Sequence, residues 1–228
     1  MNPEYGVFLN REDSNRCAEQ FRTLRSRLYR LREKKPIRTL LITSACSGDG
    51  KSFVALNLAL AVVRQHGRRA LLIDADLRAS RLHLRMGAPS APGLADYLAG
   101  EADEFSVIQA DTKEDLFFIP AGKSVSNPVE LLADERLPHL LARMAPVFEW
   151  IIVDAPPVLP VSDASVLARL CDGVIFVMRA GVTALELAQA ACQEFRENNV
   201  LGAVLNGADE QAMYGVYSYY AGNGLDKH

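Results

Sequence analysis

Paired cysteines and long apolar runs are both missing from this sequence, and each absence excludes a class of protein. Its four cysteines are widely spaced over 228 residues and form no CxxC pair. That spacing argues against a zinc site or a disulfide framework and favours reduced thiols in a cytosol. No apolar run approaches the roughly 20 residues that span a bilayer, and the first residues lack a signal-peptide pattern. We therefore expect any membrane association to come through a partner.

The sequence also has little net charge and few aromatic residues. The net charge of −3 argues against a dedicated nucleic-acid binder, and aromatic residues make up 7% of the chain. More than half of the seven tyrosines nevertheless stand in one short stretch, MYGVYSYYAGNG, near the C-terminus. These are Tyr214, Tyr217, Tyr219 and Tyr220. Their small neighbours form no core pattern, so residues 207–228 are predicted to be a flexible tail.

The remaining sequence has the pattern of a single α/β domain, and 228 residues suit one domain better than two. Short apolar runs, typical of strands covered on both faces, span 37–43, 69–74, 116–121, 149–155, 172–178 and 200–206. Helical patterns lie between several of them, including one over 129–146 and a short one over 93–100. This alternation predicts a mostly parallel sheet with helices on both faces over residues 34–206. A further helix is predicted over 14–33.

A phosphate-binding loop follows the first predicted strand. Residues 45–52 read ACSGDGKS, which matches the Walker A pattern in its strand–loop–helix context. Gly48 and Gly50 allow the backbone amides to turn inward around phosphate, and the next helix begins at about Lys51. We expect Lys51 to reach the β- and γ-phosphates of ATP, and Ser52 to bind Mg²⁺. The predicted nucleotide-binding residues are Ser47, Gly48, Asp49, Gly50, Lys51, Ser52, Phe53 and Asn206.

Carboxylates end two further predicted strands. LLIDADLR ends with Asp74 and Asp76, and WIIVDAPP carries Asp154 in a Walker B pattern. In α/β folds the carboxyl ends of the strands border the ligand crevice, and hard oxygen ligands suit Mg²⁺. A lone aspartate after a strand is more often a cap, but three beside a Walker A loop favour a metal site. The predicted metal ligands are Ser52, Asp76 and Asp154.

Together these motifs resemble the bacterial tyrosine kinases, the autokinases of capsule and exopolysaccharide synthesis. Accessory stretches similar to that family are EQFRTLRSRL (19–28), GLADYLAG (93–100), NPVELL (127–132) and PPVLPVSDA (156–164). The resemblance runs from about residue 14 to residue 220. It implies that ATP phosphorylates the tail tyrosines, with Lys51, Asp74 and Asp76 as catalytic residues. Asp74 is the candidate that faces the tyrosine hydroxyl, although the residues alone do not separate its role from that of Asp76.

The resemblance also implies partners. It favours a ring-like homo-oligomer in which Glu19, Arg22 and Arg25 make subunit contacts and the tails are phosphorylated in trans. A basic helix can also indicate nucleic acid, a membrane surface or another protein partner, or it can be only a solvated face. The family implies a membrane activator of polysaccharide export, a cognate tyrosine phosphatase, and a cytoplasmic location at the inner membrane through the activator.

Some positions depart from the family or have open roles. Cys46 stands where the related ParA/MinD-like positioning ATPases carry a signature lysine, which disfavours that alternative function. Ser47 replaces a frequent proline, and Ala79–Ser80 replaces a frequent Arg-Pro. Arg78 is interpreted either as a phosphate contact or as half of a surface salt bridge. Asn206 is interpreted either as an adenine contact or as a turn residue.

Overall fold

The computed structural model describes residues 15–110, 115–195 and 200–208. The strands are β1 (Thr39–Ser44), β2 (Ala70–Asp74), β3 (Gln109–Ala110), β4 (Leu116–Ile119), β5 (Trp150–Asp154), β6 (Gly173–Arg179) and β7 (Val200–Asn206). The helices are α1 (Asn15–Arg32), α2 (Lys51–Val63), α3 (Leu82–Met86), α4 (Leu94–Leu98), α5 (Glu104–Val107), α6 (Pro128–Leu132), α7 (Arg136–Met144), α8 (Asp163–Ala168) and α9 (Leu185–Gln193). The tail tyrosines lie outside the described residues.

The strands form one sheet in the order β3-β4-β2-β5-β1-β6-β7. All neighbouring strands are parallel except β3 and β4, which are antiparallel. The predicted mostly parallel α/β fold is therefore confirmed. In this order β5 lies between β2 and β1. Because these three strands are parallel, their carboxyl ends meet at one edge of the sheet. The phosphate loop follows β1 at that edge.

Two hydrophobic cores cover the two faces of the sheet, because successive side chains of a strand point to opposite faces. In β1, Leu41 joins the core under α4, α7 and α8, whereas Leu40 and Ile42 join the core under α1 and α2. The central strand residues are fully buried. Their rigidity gives the loops at the carboxyl edge a fixed support.

The helical pattern over 129–146 forms two helices rather than one. The helix α6 ends before Ala133, and α7 begins at Arg136. The side chain of Asp134 accepts a hydrogen bond of 2.9 Å from the backbone N–H of Arg136. A short acidic side chain that bonds a backbone amide in this way favours a new helix start over a continuous helix.

The described part of the chain contains no helix that is both long and apolar enough to cross a bilayer. Its longest helix, α1, has 18 residues and is strongly basic. One side of α1 packs on α2, where the rings of Phe21 and Phe53 meet edge to face at 5.9 Å.

Candidate active site

The phosphate loop is held in a backbone shape that only glycine adopts readily. Gly48 and Gly50 have φ angles of 91° and 97°, in the left-handed region that disfavours residues with a Cβ. A Cβ at Gly50 would lie 1.9 Å from Nδ2 of Asn206. That same Nδ2 donates a hydrogen bond of 3.0 Å to the carbonyl of Asp49. The end of β7 therefore clamps the loop.

Asp49 is the second fixed point of the loop. Its buried carboxylate accepts a 3.0 Å hydrogen bond from the N–H of Cys46 and a 2.7 Å bond from the hydroxyl of Thr183. Thr183 in turn accepts a bond from the N–H of Arg179 at the end of β6. Sequence reasoning missed Thr183, because it lies 134 residues from Asp49 and belongs to no motif.

Lys51 lies among the predicted carboxylates. Its Nζ is 2.9 Å from Oδ2 of Asp76 and 3.9 Å from Oδ1 of Asp154, and its side chain is only 13% exposed. Burial alone would lower the pKa of Lys51, but the carboxylates Asp154 and Asp76 outweigh it and raise the pKa. The ammonium therefore stays charged at neutral pH. Lys51, Asp76 and Asp154 are thus brought together as predicted.

Two of the carboxylates are fully buried. Burial, reinforced by the charge of Asp154, raises the pKa of Asp74 to about 7. Burial also raises the pKa of Asp154, while Lys51 and a hydrogen bond from Ser52 oppose that rise. Burial of this kind disfavours the ionised carboxyl. Both carboxyl groups therefore hold a proton more readily than an exposed carboxyl does.

The residues of the crevice suit a magnesium ion bound together with a nucleotide. Oδ1 of Asp154 is buried and accepts no hydrogen bond, so it is open to a cation. In the described ranges no three His, Cys, Asp or Glu side chains are placed to enclose a metal by themselves. Magnesium usually takes one or two protein oxygens and completes its shell with phosphate and water. Ser52, Asp76 and Asp154 fit that role.

Two residues near the crevice are engaged elsewhere. Arg78 makes two hydrogen bonds, of 2.7 and 3.0 Å, to the fully buried carboxylate of Asp163 on α8. Of the two interpretations of Arg78, the structure therefore has the salt bridge. The ring of Phe53 packs on Phe21 of α1. Ser47 and Gly48 are exposed at the loop's tip.

The residues predicted to join subunits lie away from the crevice on α1. Arg22 forms an exposed ion pair with Glu19 of the same helix. Arg25 instead turns inward and donates to the carbonyl of Ala61 on α2. Arg25 therefore ties α1 to the domain, whereas Glu19 and Arg22 face outward.

Comparison with known proteins agrees with this geometry. Residues 40–218 match the CobQ/CobB/MinD/ParA nucleotide binding domain. The chain is 33% identical over 205 residues to the tyrosine-protein kinase YwqD of Bacillus subtilis, covering 89% of this chain and 86% of that protein. It is 34% identical over 205 residues, 89% of this chain, to the tyrosine-protein kinase wzc of Salmonella typhi. In that second comparison it spans only 28% of the longer relative.

The chain superposes more closely on a solved kinase domain than on a solved positioning ATPase. The kinase domain of the Escherichia coli tyrosine kinase ETK superposes with a TM-score of 0.81 at 35% identity, covering 85% of this chain and 76% of that one. The septum site-determining protein MinD of Pyrococcus horikoshii, complexed with Mg-ADP, reaches 0.64 at 26% identity, covering 76% and 72%. The crevice, the motifs and these likenesses together place the chain in the bacterial tyrosine kinase family of P-loop proteins.

Proposed function

We propose that this chain is an ATP-dependent tyrosine autokinase whose substrates are tyrosines in the C-terminal tails of neighbouring copies. The observation that carries the proposal is the position of Lys51, 2.9 Å from Asp76 and 3.9 Å from Asp154, where three parallel strands end. This arrangement combines the groups that phosphoryl transfer requires: a cation for phosphate, carboxylates for a metal, and a proton acceptor.

Positioning and charge neutralisation are the main contributions of the loop to the reaction. The loop amides and Lys51 hold the β- and γ-phosphates of ATP, and the ammonium faces the charge that builds up during transfer. Magnesium, when bound through Ser52, Asp76 and Asp154, supplies further positive charge at the same phosphates. Asp49, fixed by Cys46 and Thr183, keeps the loop in its binding shape.

Asp74 accepts the proton of the attacking tyrosine. A phenol has a pKa of about 10 and is a poor nucleophile at neutral pH until a base takes its proton. As the phenolic oxygen bonds to the γ-phosphorus, the bond from that phosphorus to the bridging oxygen breaks and ADP leaves. The pKa of about 7 at Asp74 suits a group that gains this proton and later releases it.

The tail supplies the substrate. Tyr214, Tyr217, Tyr219 and Tyr220 follow β7 closely in the sequence, and the crevice that they enter is that of a neighbouring copy. Transfer in trans then takes place within a closed ring that is joined through the exposed Glu19 and Arg22. Four phosphotyrosines add roughly −6 to −8 charges per chain. Their repulsion would loosen the ring.

The regulated process is capsular or exopolysaccharide synthesis and export. The bacterial tyrosine kinases, the family to which this chain belongs, are the autokinases of that process. A membrane protein of the export machinery serves as activator and holds the chain at the cytoplasmic side of the inner membrane. A cognate tyrosine phosphatase resets the cycle.

A positioning ATPase is the alternative function, and its support is the likeness to MinD. Incubating the purified protein with Mg·ATP and measuring phosphotyrosine and ADP separates the two. The kinase produces phosphotyrosine in step with ADP, and Lys51→Met produces neither. Release of ADP without phosphotyrosine, on a chain with an intact tail, would favour the ATPase.

A further inference from the structure

The carboxylate of Asp74 is held from two sides. Its Oδ1 accepts a 3.2 Å hydrogen bond from the backbone N–H of Asp76. Its Oδ2 accepts a 2.7 Å bond from the hydroxyl of Ser80, in the loop between β2 and α3. The second bond is much the shorter, at the length of a charge-assisted O–H···O⁻ bond. Ser80 is therefore the stronger of the two restraints on the Asp74 side chain.

The same loop holds both aspartates of the DAD motif. The N–H of Ala79 donates a 3.0 Å bond to Oδ1 of Asp76, and the next residue, Ser80, donates to Asp74. A backbone N–H is present at position 79 with any residue except proline, whereas the bond to Asp74 needs a hydroxyl at position 80. The contact is thus specific to the side chain found here.

Helix capping does not account for the Ser80 hydroxyl. The residue before α3 is Arg81, and no side chain caps that helix. The Ser80 hydroxyl donates its only proton to Asp74, so its oxygen can take part in a further hydrogen bond only as an acceptor. The ring Nδ1 of His83, on the first turn of α3, lies 3.4 Å from that oxygen. Ser80 therefore connects the carboxylate to the helix behind it.

Asp74 needs such a restraint because like charges surround it. Asp154 is its register partner on the neighbouring strand β5, and Asp76 follows it by two residues in the sequence, so repulsion among the carboxylates favours rotation of the Asp74 side chain away from the crevice. A buried carboxylate that loses a donor is also poorly solvated. We propose that Ser80 is a positioning residue that fixes the carboxylate of Asp74 in the orientation that receives the tyrosine proton, with His83 supporting the hydroxyl.

This inference rests on the proposed kinase function and adds a residue to it. Where the resembling family often has Arg-Pro, this chain has Ala79–Ser80, and a proline at position 80 would offer no hydroxyl. The positioning bond is therefore a feature of this chain's own sequence. It predicts a defect in the rate of transfer, and none in the binding of nucleotide.

The test compares Ser80→Ala with Ser80→Thr, which restores a hydroxyl, in the full-length protein. Ser90→Ala is the matched control, because Ser90 is exposed and its carbonyl, which the substitution keeps, accepts a hydrogen bond from the N–H of Gly122. The rate of phosphotyrosine formation is measured over a range of Mg·ATP concentrations, together with Mg·ADP affinity and the midpoint of thermal unfolding. His83→Ala serves as a second, weaker perturbation of the same contact.

For Ser80→Ala we expect kcat to fall roughly tenfold, the scale of one lost hydrogen bond to a charged group. Its KM for ATP and its Mg·ADP affinity should match the wild type, whereas its unfolding midpoint should fall by roughly a few degrees, because a buried carboxylate loses a donor. Ser80→Thr should recover most of the rate, His83→Ala should lose about two- to threefold, and Ser90→Ala should be unchanged.

Three results would overturn the inference: wild-type kcat in Ser80→Ala, equal losses in Ser80→Ala and Ser80→Thr, or a loss confined to KM. Each of them leaves a wild-type protein that still makes phosphotyrosine, so the proposed function survives. If the wild type makes no phosphotyrosine at all, the proposed function fails and the role of Ser80 fails with it.

Discussion

The charged side chains of the crevice are buried, whereas the Glu19–Arg22 pair on helix α1 is exposed. In the crevice, Lys51, Asp76 and Asp154 are 13%, 8% and 1% exposed. On α1, the side chains of Arg22 and Glu19 are 45% and 66% exposed. Burying several carboxylates around one lysine opposes folding, whereas an exposed pair has little effect on stability. Buried charge therefore sets the crevice apart from the exposed Glu19–Arg22 pair of α1.

The largest expected effect comes from removing the crevice cation. Lys51→Met should lower phosphotyrosine formation by roughly a hundred- to a thousandfold, because charge stabilisation is lost where negative charge accumulates. Lys35→Met, at an exposed position, is the matched control and should be fully active. Quantitative phosphotyrosine blotting measures both. A folded Lys51→Met protein that still phosphorylates itself would remove the proposed site.

A buried charge beside the crevice should govern stability as well. Arg78→Ala leaves the fully buried carboxylate of Asp163 without its partner, and we expect the free energy of unfolding to fall by about 2 kcal/mol. Arg81→Ala removes the same charge from an exposed neighbour and should change it far less. Urea denaturation of both variants measures the difference. Equal effects would mean that the Arg78–Asp163 pair contributes nothing beyond surface charge.

Removing the charge of Asp74, in contrast to that of Arg78, should raise the free energy of unfolding. Because burial raises the pKa of Asp74 to about 7, its ionisation opposes folding. This penalty is absent below the unfolded-state pKa of about 4, grows as the pH rises, and is complete above about 7. Asp74→Asn should therefore be more stable than the wild type at pH 8, by about 1 kcal/mol or more.

Thermal or urea unfolding at pH 4, 6 and 8, without nucleotide or metal, checks the prediction for Asp74. The gain in stability should shrink steadily as the pH falls and vanish near pH 4. A gain that is independent of pH would show that the ionisation of Asp74 is not its source.

The smallest effect on stability is expected on α1. Replacing both Glu19 and Arg22 by alanine should change the free energy of unfolding by less than about 0.5 kcal/mol, since the pair is exposed. The mass of the oligomer in solution should nevertheless fall if these residues join subunits. Light scattering at several concentrations measures that mass. An unchanged mass of the oligomer would show that Glu19 and Arg22 do not join the subunits.

Much of the fold follows from local sequence signals. Apolar runs marked six of the seven strands, since buried parallel strands need continuous apolar residues, and the Walker A loop marked the start of α2. The strand β3 escaped notice because two residues carry no pattern. At the break between α6 and α7, the side chain of Asp134 accepts a hydrogen bond from the N–H of Arg136, a contact that a helical pattern does not reveal.

The site was predictable only where motifs define it. Lys51, Asp76 and Asp154 come together because their strands are neighbours in a parallel sheet. The bonds of Asp49 to Thr183 and of Arg78 to Asp163 join residues 134 and 85 positions apart, so no local signal could indicate them. Ser80 lies only six residues from Asp74, yet a loop serine has no directional pattern in sequence.

The most direct test of transfer between copies mixes two variants. One lacks the lysine of the crevice, and the other lacks the tail tyrosines. Lys51→Met chains carry intact tails, and chains with Phe at positions 214, 217, 219 and 220 keep an intact crevice. After incubation with Mg·ATP, mass spectrometry locates phosphate on each kind of chain. We predict phosphotyrosine on the tails of the Lys51→Met chains. Unmodified Lys51→Met tails, while the wild type labels itself at a concentration-independent rate, would contradict transfer between copies.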